Sequence, residues 1–196
     1  MPIQIEIRSA KMSLTYFKRY RMELDLDRAA ISAPALPQRY ALLAWDEGLI
    51  RDHAAAKYAS FHSEMDVNVF PCLGRQDGCN QLMREISRRA TFVPQATWLL
   101  RYDQPGGRAE PVGTVQGIEM DDWGALQNLG VARAHRGLGL GTILLARAIQ
   151  GFRSAGLSRM HLEVTSDNTA AVRLYTRLGF RNARTVFKAA EVAGAV

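Results

Sequence analysis

The sequence predicts an α/β fold built on one mixed β-sheet, and two observations carry this prediction. The first is a regular alternation of strand and helix patterns over residues 125–187, and the second is a hairpin pattern over residues 96–118. The chain has 196 residues with 47% hydrophobic and 22% charged composition, enough to bury the core of one domain. We therefore expect residues 1–196 to form a single globular domain.

The N-terminal half is predicted to hold two short strands, two helices and the hairpin. Alternation of apolar and polar residues indicates strands at 20–26 and 40–45. Apolar residues on one face indicate helices at 49–61 and 77–89. The hairpin over 96–118 is indicated by β-branched, aromatic and aliphatic residues on both sides of a proline- and glycine-containing turn.

The C-terminal half shows a clearer β-α-β-α-β pattern. Its predicted strands and helices lie at 125–131, 139–154, 159–165, 168–178 and 180–187. Such alternation is typical of parallel strands joined by helical crossovers, so the strands at 125 and 159 should be parallel. The helix at 139–154 should bury Leu140, Ile143, Leu144, Ala148 and Phe152.

The charge balance favours an anionic partner but does not identify it. There are 25 Lys and Arg residues against 19 Asp and Glu, a formal charge of +6. The arginines are dispersed and no nucleic-acid-binding module is recognisable, so nucleic acid is not expected. No leader or membrane-spanning apolar run is visible, which favours a cytoplasmic protein.

Metal and disulfide chemistry is not expected either. The two cysteines, Cys72 and Cys79, lack the spacing of a zinc site or a disulfide framework. His53 and His62 flank the first predicted helix, but nine residues do not place two histidines in one helical metal site.

The most informative segment is a glycine-rich turn between a strand and a helix. Gly137, Gly139 and Gly141 let main-chain N–H groups converge, and the helix start adds unpaired donors, a combination suited to phosphate. Arg136 and Thr142 add a guanidinium and a hydroxyl. The dinucleotide and Walker patterns both fail in register, which leaves Arg-x-x-Gly-x-Gly or a purely structural turn.

Two separated motifs carry a family resemblance. Arg136-Gly-Leu-Gly-Leu-Gly-Thr142 is followed, after a helix and a strand, by Asn168 and then by Leu174-Tyr175-Thr-Arg-Leu-Gly-Phe180. In order and spacing this resembles the acyl-CoA-binding core of the GNAT superfamily of N-acetyltransferases. The resemblance covers residues 112–187, whereas residues 1–95 are divergent. It implies the GNAT fold, a mixed sheet of about six or seven strands flanked by about four helices, with acetyl-CoA as co-substrate.

The resemblance also implies a set of cofactor-binding residues. The strand before the turn would pair with the pantetheine arm, next to a bulge that Gly130 permits, and the turn would hold the pyrophosphate. The implied residues are Leu129, Gly130, Val131, Arg136, Gly137, Leu138, Gly139, Leu140, Gly141, Thr142, Asn168 and Tyr175. Asn168 also fits a helix N-cap, and Tyr175 also fits an aromatic packed between helix and sheet.

The implied reaction is direct attack of a primary amine on the thioester, with Tyr175 protonating the departing thiolate. Some relatives carry a glutamate base on the strand before the turn, but Ala125 occupies that place here. Glu119, Asp121 and Asp122 are substitutes, or solvated turn residues. The acceptor would be a small-molecule or protein amine, and a homodimer is compatible with the resemblance. The alternative is a non-catalytic acyl-CoA-binding sensor or interaction module with the same fold.

Overall fold

A computed structural model describes residues 12–193, and a single seven-stranded sheet runs through this part of the chain. The strands are β1 (Met12–Asp25), β2 (Tyr40–Ala44), β3 (Phe92–Tyr102), β4 (Glu110–Met120), β5 (Trp123–Val131), β6 (Arg159–Thr165) and β7 (Arg181–Ala193). The helices are α1 (Ile50–Phe61), α2 (Asp66–Val69), α3 (Gln76–Ser87), α4 (Leu140–Ser154) and α5 (Thr169–Arg177).

The sheet is mixed, as the sequence predicts. Its strand order is β2-β3-β4-β5-β6-β1-β7, and every neighbouring pair is antiparallel except β5 and β6, which are parallel. Four of the helices correspond to the predicted ones. The fifth, α2, has only four residues and was missed because a single turn carries no periodic pattern. Within the described residues, no helix is long and apolar enough to cross a membrane.

The first and last strands of the chain, β1 and β7, are much longer than predicted. The sequence predicted strands at 20–26 and 180–187, whereas β1 begins at Met12 and β7 continues to Ala193. These strands pair with each other along almost their whole length, from Met12 opposite Ala193 to Glu23 opposite Arg181. The extension depends on pairing between distant residues, which local alternation does not reveal.

Helix α4 packs very closely against the sheet. All five residues of its predicted inner face are buried. The ring of Phe152 lies over Gly117 and Gly124, where a Cβ would come within 2.9 and 2.7 Å of the ring. This close packing fixes the C-terminal end of α4 on the sheet, and the buried Leu140, Ile143 and Leu144 fix its first turns next to the glycine-rich turn.

Helix α1 buries two polar residues beside its predicted apolar residues. The predicted face of Ile50, Ala54, Tyr58 and Phe61 contacts an apolar cluster that includes residues of α3. Lys57 lies on this same face and is completely buried, with Nζ 4.0 Å from Met83 Sδ, and His53, four residues before it, is completely buried as well. His53 Nδ1 lies 2.8 Å from the hydroxyl of Thr114 on β4, and burial lowers the pKa of Lys57 to about 7.

Candidate active site

Strands β5 and β6 separate shortly after they begin to pair. Their parallel pairing covers only Gly124 opposite Met160 and Ala125 opposite His161. Beyond these residues the strands diverge, so the edge of β5 that faces β6 has no ladder partner from Leu126 onward. Free N–H and C=O groups on a buried edge need partners, and an extended ligand with amide groups can supply them.

A bulge in β5 contributes to this separation. Thr114 pairs with Gly130 and Gln116 with Gln127, so two residues of β5, Asn128 and Leu129, face the single residue between the β4 partners. Asn128 adopts the left-handed conformation, with φ of 49°. The bulge was expected at Gly130, but Gly130 serves another purpose. A Cβ there would lie 2.7 Å from both Ser60 and Phe61 of α1, so the glycine permits close helix packing.

The glycine-rich turn presents a row of unpaired donors. Gly137 and Gly139 have φ of 82° and 76°, and Gly139 is the N-cap of α4. Among the described residues, the N–H groups of 137–141 donate to no main-chain carbonyl; the first such bond runs from Thr142 N to Gly139 O, at 3.0 Å. Converging N–H groups at a helix start form a favourable site for an anion.

The side chain of Arg136 is committed to protein partners. Its guanidinium donates to the carbonyls of Val131 at 2.9 Å and Ser60 at 3.0 Å, and to the carboxylate of Glu64 at 2.7 Å. It therefore fastens the turn to the end of β5 and to α1. A phosphate contact from this guanidinium, which the sequence suggested, would have to compete with three existing hydrogen bonds.

The gap between β5 and β6 holds two adjoining cavities. The first cavity, of about 540 Å³, lies between the end of β5, the glycine-rich turn and α5. All the predicted cofactor-binding residues line it except Leu138, whose side chain is exposed. The second cavity, of about 530 Å³, lies on the other side of the gap, between β5, β6, β1, β7 and the segment that contains α2 and α3.

A small group of residues lines both cavities and marks the place where they meet. We call this place the junction, and its residues are Phe61, Asp66, Leu129, Asn168, Ala171 and Tyr175. Asn168 caps α5, since Ala171 N donates to Asn168 Oδ1 at 3.2 Å, as expected. Tyr175 lies two helical turns further on and is 7% exposed. Burial raises the pKa of its phenol, and the nearby charge of Asp66 raises it further.

Asp66 brings a carboxylate to the junction from α2. The hydroxyl of Thr165 donates to Asp66 Oδ1 at 3.2 Å, and the same hydroxyl accepts from Arg19 Nη1 at 3.4 Å. Burial raises the pKa of Asp66 above the ordinary carboxyl value, and the opposing effect of Arg19 is smaller. The junction therefore brings together a carboxyl group whose pKa is above its ordinary value and a phenol that stays protonated.

The predicted substitutes for the base lie away from the junction. Asp121 and Asp122 have φ of 52° and 61° and form the two-residue turn between β4 and β5, as a tight hairpin requires. Asp121 lines the second cavity but not the first, whereas Glu119 and Asp122 line neither. Ala125, at the position of the glutamate in some relatives, is fully buried in the core.

Sequence reasoning missed Asp66 and the two residues that hold it. Asp66 stood out only as one acidic residue near His62, and its four-residue helix has no periodic signal. Arg19 lies in the part of β1 that was not predicted, and Thr165 is the last residue of β6. An excess of acidic over apolar residues in 62–66 was the single available signal that this segment was more than a helix end.

Comparison with known proteins gives one family. The profile described as "Acetyltransferase (GNAT) family" matches residues 65–180, more than half of the chain. A mycothiol acetyltransferase of Parafrankia sp. (strain EAN1pec) is 43% identical over 79 residues, 40% of this chain and 21% of that protein. A mycothiol acetyltransferase of Corynebacterium aurimucosum is 28% identical over 164 residues, 78% of this chain and 52% of that protein. The chain thus spans a fifth to a half of these relatives.

Solved structures share the fold. A GCN5-related N-acetyltransferase from Sphaerobacter thermophilus superimposes with a TM-score of 0.62 at 23% sequence identity. The match covers 92% of this chain and 53% of that one. Similarity at this level of identity supports the fold alone.

Proposed function

Because the chain belongs to the Acetyltransferase (GNAT) family, we propose that it transfers an acetyl group from acetyl-CoA to the primary amine of an acceptor. The observation that carries the proposal is the meeting of two cavities at Asp66 and Tyr175. A direct transfer requires that the two substrates meet, and here each substrate can reach the junction through its own cavity. The first cavity offers main-chain donors for a phosphorylated carrier, and the second offers charged side chains for an acceptor.

The first cavity fits acetyl-CoA by three features of the chain. The unpaired N–H groups of residues 137–141 suit a diphosphate, with the dipole of α4 adding positive potential. The free edge of β5 at Leu129, Gly130 and Val131 suits the amides of a pantetheine arm. A main-chain N–H on this edge near Val131 is placed to donate to the thioester carbonyl oxygen.

We assign Asp66 the role of base for the acceptor amine. An amine arrives as an ammonium ion, and it must lose a proton before its nitrogen can attack. The raised pKa makes Asp66 a stronger base than an exposed carboxylate, and the hydroxyl of Thr165 orients its carboxylate by donating to Oδ1. The C–N bond then forms and the C–S bond breaks, and the second proton of the nitrogen is released as the amide forms.

We assign Tyr175 the role of hydrogen-bond donor to the departing sulfur. Its raised pKa lies above that of an ordinary thiol, near 8.5, so complete transfer of the phenolic proton to a thiolate is uphill. The resemblance alone implied full protonation. A neutral phenol that donates a hydrogen bond stabilises the charge that develops on sulfur without giving its proton away. The thiolate then takes its proton from solvent, and the overall reaction releases one proton.

The direct test is acetyl transfer to a panel of primary amines, followed as release of the coenzyme A thiol. Tyr175→Phe should lower kcat by roughly 10²-fold, the typical effect of removing one such donor. Tyr58→Phe is the matched control, because Tyr58 loses the same hydroxyl in a half-buried place that lines neither cavity. It should retain the activity of the unaltered protein.

The binding-only alternative predicts a different pair of results. Calorimetric titration would then give tight binding of coenzyme A, while no amine in the panel would release thiol above the rate of spontaneous hydrolysis. That pair of results would reject the transferase proposal and leave the cavities as a sensor site. Transfer that Tyr175→Phe leaves unchanged would instead remove Tyr175 from the mechanism.

A further inference from the structure

The second cavity carries an uneven set of charges. Its cationic side chains outnumber its carboxylates five to three. The cations are Arg19, Arg21, Arg89, Arg184 and Lys188, and the carboxylates are Asp66, Asp121 and Glu163. The significance of this imbalance depends on which of the charges have partners.

Two of the five cations have a carboxylate partner, whereas Arg89, Arg184 and Lys188 have none within ion-pair distance in the described part of the chain. Arg19 lies 3.5 Å from the carboxylate of Glu163, and Arg21 lies 2.9 Å from that of Glu23. Arg184 and Lys188 both belong to β7, four residues apart, so they lie on the same face of the strand.

The sheet register places one of these two cations, Arg184, opposite another cation. Arg184 is directly opposite Arg21 in the β1–β7 pair, and like charges in that relation repel. Lys188 Nζ lies 4.4 Å from the ring centroid of Phe70, and the guanidinium of Arg19 lies 4.9 Å from it. An anion in this part of the cavity would relieve the repulsion and pair with the unpartnered side chains.

We propose that the acceptor is an amine that also carries an anionic group, a carboxylate or a phosphate, and that Arg184 and Lys188 bind this group. The inference rests on the proposed function, since it gives the acceptor amine to Asp66 at the junction. The two ends are well separated. Arg184 lies two strands and two residues away from Thr165, the partner of Asp66, roughly 12 Å between Cα atoms from the standard spacings of a sheet.

This arrangement selects an acceptor of opposite charges at its two ends. The carboxylate of Asp66 attracts the ammonium end, and the β7 cations attract the anionic end. A polyamine would place its second charge against Arg184 and Lys188, and is therefore disfavoured. The same electrostatics orient the substrate, because the reverse orientation brings like charges together at both ends of the cavity.

The test compares acceptors that differ in one charge. Glycine, 4-aminobutyrate and 6-aminohexanoate are each assayed against the corresponding amide, which has the same length and no negative charge. At least one acid should exceed its amide about tenfold in kcat/KM, the usual size of a charge-assisted hydrogen bond. Arg184→Gln with Lys188→Gln should abolish this preference through KM and leave kcat for the amides unchanged.

Arg181→Gln is the matched control. Arg181 lies on the same strand and loses the same charge, but it lines a different cavity. Acid preference should persist in this variant. Transfer to the amides as efficient as to the acids, or a preference that survives the double variant, would overturn the inference while leaving the transferase proposal intact.

If no acceptor is acetylated, the proposed function is rejected. Calorimetric binding then tests the anion site at Arg184 and Lys188 independently of the transferase proposal. The probe is 6-aminohexanoate, with its amide as reference. Binding of the acid about tenfold tighter than the amide, lost in the double variant, would support the anion site. Equal affinity for the acid and the amide would overturn it.

Discussion

The two cavities that meet at the junction are lined by different kinds of chemical group. The first consists largely of main-chain N–H groups, glycines and a free strand edge, and half of its lining residues lie within one segment, 129–142. The second consists of side chains from β1, β5, β6, β7 and the helical segment between β2 and β3, so its residues are dispersed along the chain. Both have nearly the same volume, about 540 and 530 Å³.

The difference explains why the cofactor is easier to infer than the acceptor. Main-chain recognition demands particular glycines at particular spacings, so it leaves a local motif such as Arg136-Gly-Leu-Gly-Leu-Gly-Thr142. Side-chain recognition across several strands demands a register, which distant residues define together. A change in the first cavity should therefore act on coenzyme A affinity alone, and a change in the second on the acceptor alone.

The largest effect should come from a change at the junction, whose residues line both cavities. Asp66→Asn should lower kcat/KM for the amine by roughly 10²- to 10⁴-fold, because it removes the base. In the unaltered protein, activity should rise with pH through the pKa of Asp66, which lies above the ordinary carboxyl value, since the base must be deprotonated. The pH–rate profile of the variant should lack this acidic limb.

Asp122→Asn is the matched control for this prediction. Asp122 lies in the exposed turn between β4 and β5, where asparagine also tolerates a positive φ, and it lines neither cavity. Normal activity is expected. A large loss in Asp122→Asn together with a small loss in Asp66→Asn would assign the base to the turn.

A second effect concerns the helix that borders both cavities. Lys57→Met in α1 should raise the free energy of unfolding by about 3 kcal/mol below pH 7, because a fully buried lysine is disfavoured when charged. The pKa of Lys57 is about 7 in the folded protein and near 10.5 when exposed. Between these two pKa values Lys57 is protonated in the unfolded chain and neutral in the folded protein. The free energy of unfolding of the unaltered protein therefore rises with pH, and the stability gained by Lys57→Met shrinks.

Chemical denaturation of both proteins from pH 6 to about pH 10.5 measures this gain. Lys18→Met provides the control, because Lys18 is exposed on β1 and its replacement should leave stability nearly unchanged at every pH. A gain from Lys57→Met that stays constant across the range would mean that the buried amine does not lose its proton on folding.

A third, smaller effect should be confined to the first cavity. Gly137→Ala should weaken coenzyme A binding about tenfold, because a left-handed alanine costs about 1–2 kcal/mol and shifts the N–H groups. Gly106→Ala is the control: Gly106 has a similar φ of 67° and equally open surroundings, but lies in the β3–β4 turn. Equal coenzyme A affinity in both variants would contradict the assignment of the diphosphate to the turn.

The smallest effect tests how Arg136 acts. Its side chain is bound to Val131, Ser60 and Glu64, so Arg136→Gln should lower the melting temperature and weaken coenzyme A binding only about threefold. Glu64→Gln should reproduce part of both losses. A fall in affinity of more than about tenfold in Arg136→Gln, with no effect of Glu64→Gln, would show direct pairing with phosphate.

Local patterns predicted the C-terminal half well and the N-terminal half in outline. Residues 125–178 alternate regularly, and the observed β5, α4, β6 and α5 begin and end within two residues of their predicted positions. The extent of β1 and β7 was not predictable, because each is prolonged by the other. In α1 the apolar pattern identified the buried face but did not predict that the polar His53 and Lys57 are buried with it, next to Thr114 of β4 and Met83 of α3.

The candidate site, like the fold, was predicted only in part from the sequence. Of the 20 residues that line the first cavity, 11 were named from the sequence, nine of them in the segment 129–142 together with Asn168 and Tyr175. The bulge was placed at Gly130 instead of Asn128, because a glycine that is needed for close helix packing resembles one that is needed for a turn. Asp66 was missed, because only the fold brings a four-residue helix beside Thr165 and α5.

The central claim is that both cavities deliver their ligands to Asp66 and Tyr175. A crystal structure with coenzyme A tests it most directly. We expect the diphosphate on the N–H groups of residues 137–141, the pantetheine along β5, and the sulfur within hydrogen-bonding distance of the Tyr175 hydroxyl. A diphosphate bound elsewhere, or a sulfur remote from the junction, would contradict the account.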